Sequence, residues 1–139
     1  MKLEKLVAVS GMSGLYRMIA NRKNGLIVEE IGTGKHRFAP SRKHQFTPLE
    51  SIAIYTDDGE STELANVFRN MLDQLEDNPP ADTSAGDEDI KEYFADVLPN
   101  YDHDRVRVSD MRKVIKWFNL LHTNQLLDPE AETTEDEEE

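Results

Sequence analysis

The chain has 139 residues, 37% hydrophobic and 32% charged, enough for one ordinary domain or two small ones around a modest core. Its formal charge of −12 argues against coating a polyanion, whether nucleic acid or an anionic bilayer. The lack of cysteine excludes disulfides, thiolate nucleophiles and thiolate metal sites. The apolar run near the start is too short for a membrane span or a signal peptide, so the expected location is cytoplasmic.

Short strands come first. Leu3, Leu6, Val7 and Val9 form an apolar run that Gly11 and Gly14 end, and a glycine-rich turn there favours positive φ. Leu15 to Ala20 and Leu26 to Val28 flank Asn24-Gly25, a pair that signals a tight hairpin because both residues tolerate positive φ. Gly32-Thr33-Gly34 marks another turn, followed by strands at His36–Ala39 and Ser51–Tyr55 and a turn at Asp57-Asp58-Gly59. Strands this short and evenly spaced predict a small closed barrel of SH3-like size, since closure removes exposed edges.

The period then changes. Leu64, Val67, Phe68, Met71, Leu72 and Leu75 follow helical spacing, predicting a helix over 61–76 that starts at Ser61 or Thr62 and packs on the barrel. Residues 77–88, acidic and rich in Pro and small side chains, read as a linker and a domain boundary. Ile90, Tyr93, Phe94, Val97 and Leu98 form a second helical stripe, with Asp89 as its expected cap. After a connector extended near Arg105–Val108, Ser109 precedes a third stripe of Met111, Val114, Ile115, Phe118 and Leu121. Residues 128–139 contain eight acids and no large apolar side chain, so the tail is expected to stay disordered.

Charge divides the chain. Residues 1–47 hold nine Lys/Arg against three acids, and everything after them is strongly negative. Within the basic part, Lys35-His36-Arg37-Phe38 and Arg42-Lys43-His44-Gln45-Phe46 interleave cations with aromatics, the pattern by which small barrels grip single strands. Strand alternation predicts the same pattern, with rings inward and charges in water, and the net charge of the chain opposes nucleic-acid binding. Arg105, Arg107, Arg112, Lys113 and Lys116 form a second basic spot near Trp117, which lies about 100° from the core-facing Phe118 and so either widens the core or anchors an interface.

Other motifs carry less. Gly32-Thr33-Gly34-Lys35 lacks the spacing and the helix of a phosphate loop. Gly11-Met12-Ser13-Gly14 joins strands, whereas the RNA-binding GXXG clamp joins helices. The four histidines are scattered, and Asp102-His103-Asp104 would point to alternating faces on an extended chain. No nucleophile–base signature is present, so no catalytic, metal or cofactor site is expected.

The sequence resembles a family of Bacteroidetes proteins known as a domain of unknown function. The likeness rests on Leu6 to Tyr16 (LVAVSGMSGLY), Lys23 to Glu29 (KNGLIVE), Leu49 to Thr56 (LESIAIYT), Ser109 to Val114 (SDMRKV) and Trp117 to Leu121 (WFNLL). It implies a Tudor/SH3-like barrel followed by a small helical domain, and brings no activity or ligand.

The expected architecture is therefore α+β: an SH3/Tudor-like barrel with an appended helix at 1–76, a linker at 77–88, a helical hairpin at 89–127 and a tail at 128–139. The expected function is non-catalytic binding of a protein partner. Its contact residues would be Tyr16, Arg37, Phe38 and Tyr55 on the barrel, or Trp117 on the helical module. The alternative is an RNA-associated factor, RNA more than DNA, using Lys35, Arg37, Phe38, Arg42 and Lys43, with the acidic tail competing for that site. No membrane partner is expected, and the oligomeric state is left open.

Overall fold

The structure is a computed structural model that describes residues 3–127. Five strands form one antiparallel sheet: β1 (Leu6–Val9), β2 (Tyr16–Arg22), β3 (Gly25–Glu30), β4 (His36–Pro40) and β5 (Phe46–Pro48). Their order is β4-β3-β2-β1-β5. This order is consistent with an SH3-like barrel, but the expected closure is not formed. Among the described residues β4 and β5 remain the two edges, each hydrogen-bonded on one side.

Alternation along β1 explains its unbroken apolar sequence. Leu6 and Ala8 face the helices, while Val7 and Val9 face a small core with Tyr16, Val28 and Ala39. A strand covered on both faces has no polar positions to spare. The β2–β3 hairpin forms where Asn24-Gly25 predicts it, but for a different reason. Neither residue has positive φ. Gly25 pairs with Arg22 and Pro40, and a Cβ there would stand 2.1 Å from the Ala39 carbonyl oxygen. Close approach of β4, rather than turn handedness, requires the glycine. Gly11 and Gly14, at φ +78° and +83°, do use the left-handed region that the β1–β2 turn calls for.

A 3-10 turn at Leu49–Ser51 leads into β6 (Ala53–Tyr55), which pairs with β7 (Ser61–Glu63) across the Asp57-Asp58-Gly59 turn. The Asp58 carboxylate accepts bonds from the Thr56 hydroxyl (2.6 Å) and the Glu60 N–H (3.1 Å), and the Thr56 bond foremost lowers its pKa. Residues expected to cap the first helix are therefore strand residues. Helix α1 begins later, at Leu64–Asp73, where the Leu64 N–H bonds Ile52 O (3.0 Å).

Helix α2 (Asp87–Val97) starts before the expected cap at Asp89, placing Asp87, Glu88 and Asp89 in its first turn, where the helix dipole favours negative charge. The connector that follows opens on a turn over residues 103–105; of the stretch expected to be extended, Arg107 is (φ −98°, ψ 161°), while Val108 already begins the next helix. Asp102 accepts from the N–H groups of Asp104 (2.8 Å) and Arg105 (3.2 Å). Helix α3 (Val108–Thr123) then begins before Ser109, and the Asp110 carboxylate accepts the Arg107 N–H at 3.1 Å. The three helices bury Phe68, Phe94, Ile115 and Phe118 in a cluster that also takes Leu3, Leu6, Leu15, Ile31 and Leu49 from the strand region. Phe68 and Phe118 meet at 6.0 Å between ring centroids.

The segment expected to be a free linker is fastened down. Ala81 and Ala85 rest on the helical core. Arg112 donates to the carbonyls of Thr83 (3.2 Å) and Ala85 and to the Asp87 carboxylate (2.9 Å). The acidic tail lies outside the described residues.

Candidate functional site: a cleft between the strands and α3

Where the two parts of the molecule meet, a cleft of 740 Å³ opens between the β1–β2 turn, β5 and β6 on one side and α3 on the other. Its lining includes Ile52, Ile54, Val106 and Val114, all apolar and largely covered. On α3, Asp110, Lys113, Val114, Trp117 and Leu120 recur three or four residues apart, so one face of the helix forms the wall. Lys116 and Arg105 complete a cationic rim with the carboxylate of Asp110 in the lining; Arg105 is itself paired with Asp102 at 3.8 Å, so the rim keeps a small positive excess in a chain of −12. Lys113 and Lys116 are exposed and have no ion-pair partner among the described residues; they also line a shallower depression of 490 Å³ with Arg112 and Asp87.

The eight residues singled out in the sequence fall into three places. Tyr55 and Trp117 come together on the cleft. Tyr55 is 49% exposed, with the Arg105 guanidinium 4.8 Å from its ring centroid. Trp117 is half-buried, packed on the edge of the helical core, so it both widens that core and faces the opening. Lys35, Arg37, Phe38, Arg42 and Lys43 form a separate exposed group on β4 and the turns beside it.

Tyr16 belongs to neither group. It is 2% exposed, packs in the strand core and donates its hydroxyl to Ser13 O at 3.0 Å, so it has no face to offer a partner. Phe38 takes the opposite side of the sheet from the one inward packing would need. It pairs with Ile27 and is 48% exposed.

The histidines all have structural places. His36 lies 3.9 Å from Glu29, and His44 Nδ1 is 2.7 Å from Ser10 O. His103 stacks on Tyr101, and His122 on Phe118. Among the described residues no group of three or more His, Asp or Glu could hold a metal ion. Sequence reasoning saw the basic spot on α3 but missed the opposing wall, Ser10 to Gly14 and Thr47. No local signal points there, because that wall exists only once β1 and β5 pair.

A family model described as Domain of unknown function (DUF6852) matches residues 52–121, half of the chain, and one described as Domain of unknown function (DUF5606) matches residues 3–49. The chain belongs to this Bacteroidetes domain-of-unknown-function family. The two DUF matches meet at the 3-10 turn, ahead of α1, whereas the sequence reading joins α1 to the strands. A solution NMR structure from Bacteroides vulgatus, a Northeast Structural Genomics Consortium target, is similar at 34% identity. That likeness covers 91% of this chain and 90% of the other, with a TM-score of 0.72. None of the curated proteins matches the sequence. The cleft is thus bounded on one wall mainly by the DUF5606 part and on the other by the DUF6852 part.

Proposed function

We propose that the protein is a non-catalytic cytoplasmic interaction protein, an SH3/Tudor-like module joined to a helical one, that takes a segment of a protein partner into the cleft. The cleft itself carries the reading. Its apolar lining, the half-buried Trp117 and the exposed Tyr55 supply the aromatic anchors that dominate protein interfaces. The cations on α3 add selection for acidic neighbours. No helix among the described residues is long and apolar enough to cross a membrane.

The test is capture from a Bacteroides lysate by the wild-type chain and by a Lys113→Glu/Lys116→Glu variant, each with and without nuclease. A protein retained by the wild type despite nuclease, and lost by the variant, is the expected result. Capture indifferent to the variant would refute the cleft as the site.

One observation favours a second reading. Phe38, 48% exposed on a strand with Lys35 and Arg37 close by, offers a ring face and phosphate-binding cations to single-stranded RNA. That reading requires salt-dependent RNA binding that a Lys35→Glu/Arg37→Glu variant loses.

A further inference from the structure

We infer that the acidic C-terminal segment, residues 128–139, is an intramolecular occupant of the cationic rim of the cleft, held there until a partner displaces it. This rests on the reading of the cleft as a docking site and names both its ligand chemistry, an acidic peptide, and its regulation.

Three observations support it. The first is charge. The segment carries eight side-chain carboxylates in twelve residues, and the rim presents Lys113 and Lys116, both free of ion-pair partners among the described residues, beside Arg105, which is paired with Asp102 at 3.8 Å.

The second is reach. Leu127 is tucked into the helical core just after α3, so the segment departs from the end of the helix that forms the cleft wall. From Thr123 back to Lys116 is seven residues, about 10 Å of helix. Twelve residues span up to about 40 Å when extended, so the segment can double back over the rim with length to spare.

The third is what the segment lacks. It contains no large apolar side chain. It can therefore neutralise Lys113 and Lys116 but cannot fill the lining beneath them. Its hold is electrostatic, weak and salt-sensitive, and depends on the millimolar effective concentration that a short tether provides. A partner segment with both acids and an apolar anchor meets the same cations and gains the burial besides. The tail thus screens out weak or purely charged competitors.

Trp117 is the only tryptophan in the chain, so its emission reports on this wall without labelling. The experiment compares iodide quenching in the full chain and in a chain ending at Leu127, at constant low ionic strength, with thermal melts to confirm that both fold. A tail over the rim repels the anion, so truncation is expected to raise the quenching constant at least about twofold. A synthetic peptide of residues 128–139, at millimolar concentration, should lower it again in the truncated chain. In the full chain, Lys113→Glu/Lys116→Glu should abolish the shift of the Trp117 indole N–H resonance that truncation otherwise produces.

Equal quenching and an unmoved resonance in full and truncated chains would overturn the inference. So would release of the tail by Lys35→Glu/Arg37→Glu in place of the α3 variant, since that would seat it on β4. Partner capture that depends on Lys113 and Lys116 would survive either failure. Tail docking with capture indifferent to those lysines would instead refute the partner reading alone.

Discussion

At the scale of single residues, Tyr93 is out of balance with its surroundings. It lies on the apolar stripe of α2, 5% exposed, and its hydroxyl is buried with no hydrogen-bond partner. Burial pushes its pKa from 10.0 to about 12. An unpartnered buried hydroxyl costs about 1–3 kcal/mol, so Tyr93→Phe is expected to stabilise the protein by roughly 1 kcal/mol, read as a Tm higher by about 3 °C. The pH dependence has a definite sign. Above pH 10 the unfolded chain loses the phenolic proton while the native chain keeps it, so native stability falls as pH rises, by up to about 2 kcal/mol near pH 12. Tyr93→Phe should remove that part of the alkaline loss; denaturant titrations at pH 9 and 11 on both proteins check it, and equal losses would contradict it. The stripe containing Tyr93 was legible from periodicity, but the fate of its hydroxyl was not, because partners for a buried polar atom come from other elements. The same limit explains Tyr16 and Phe38. Both are strand aromatics, and only the register decides their direction: Tyr16 lies opposite Val7 on the face of the strand core, and Phe38 lies opposite Ile27 on the other face.

At the scale of elements, two contacts decide local order. Gly25 allows β4 to lie against β3, and any side chain would meet the Ala39 carbonyl. Gly25→Ala is expected to destabilise by about 2–4 kcal/mol, because the obstruction is backbone and the pairing must shift to relieve it. Loss of slow-exchanging amides across the β3–β4 pair would show it; unchanged protection there would count against this account. Arg112 plays the corresponding part for the segment before α2. Removing its fork leaves the Thr83 and Ala85 carbonyls and the Asp87 carboxylate without their donor. Arg112→Ala should cost roughly 1–2 kcal/mol, discounted for partial exposure, and make residues 77–86 cleavable by protease at a rate several-fold higher. Cleavage at the wild-type rate would mean that the alanines alone hold the segment. Strands and helices were legible here because apolar spacing of two or of three to four survives in the raw sequence. Their ends were less so. Ser61-Thr62 reads as a helix cap in isolation, yet across the Asp58 turn the same residues find Tyr55 and Ile54 to pair with, and the sheet ladder takes them. Composition made 77–88 look like a linker, and nothing in that stretch reveals that an arginine some 25 residues later will bind its carbonyls.

At the scale of the molecule, the question is whether strands and helices form one cooperative body. Leu6 and Ala8 of β1 enter the helical cluster while Val7 and Val9 enter the strand core, so one four-residue strand is shared between both. Leu15, Ile31 and Leu49 extend the shared surface. Periodicity shows that each element has an apolar face but not which other face covers it, and for that reason the joint core, and the cleft that opens along its margin, could not be read from the sequence. A joint core makes a specific forecast. Phe118, on α3 and 1% exposed, touches no residue of the strand core, and Phe118→Ala should cost about 3–5 kcal/mol by leaving a cavity beside Phe68. Against the 5–15 kcal/mol typical of a folded domain, that is a large fraction of the total. If the strands depend on the helices, amide exchange in β2 and β3 must accelerate together with exchange in α3, and heat must unfold the variant in one transition at lower temperature. If the sheet stands by itself, β2 and β3 keep their wild-type protection while the helices lose theirs, and the melt splits in two. The second result would turn the cleft from a fixed groove into a hinge between independently stable parts. The first would make its two walls a single rigid surface, able to present Trp117 and Tyr55 at a constant separation to whatever binds between them.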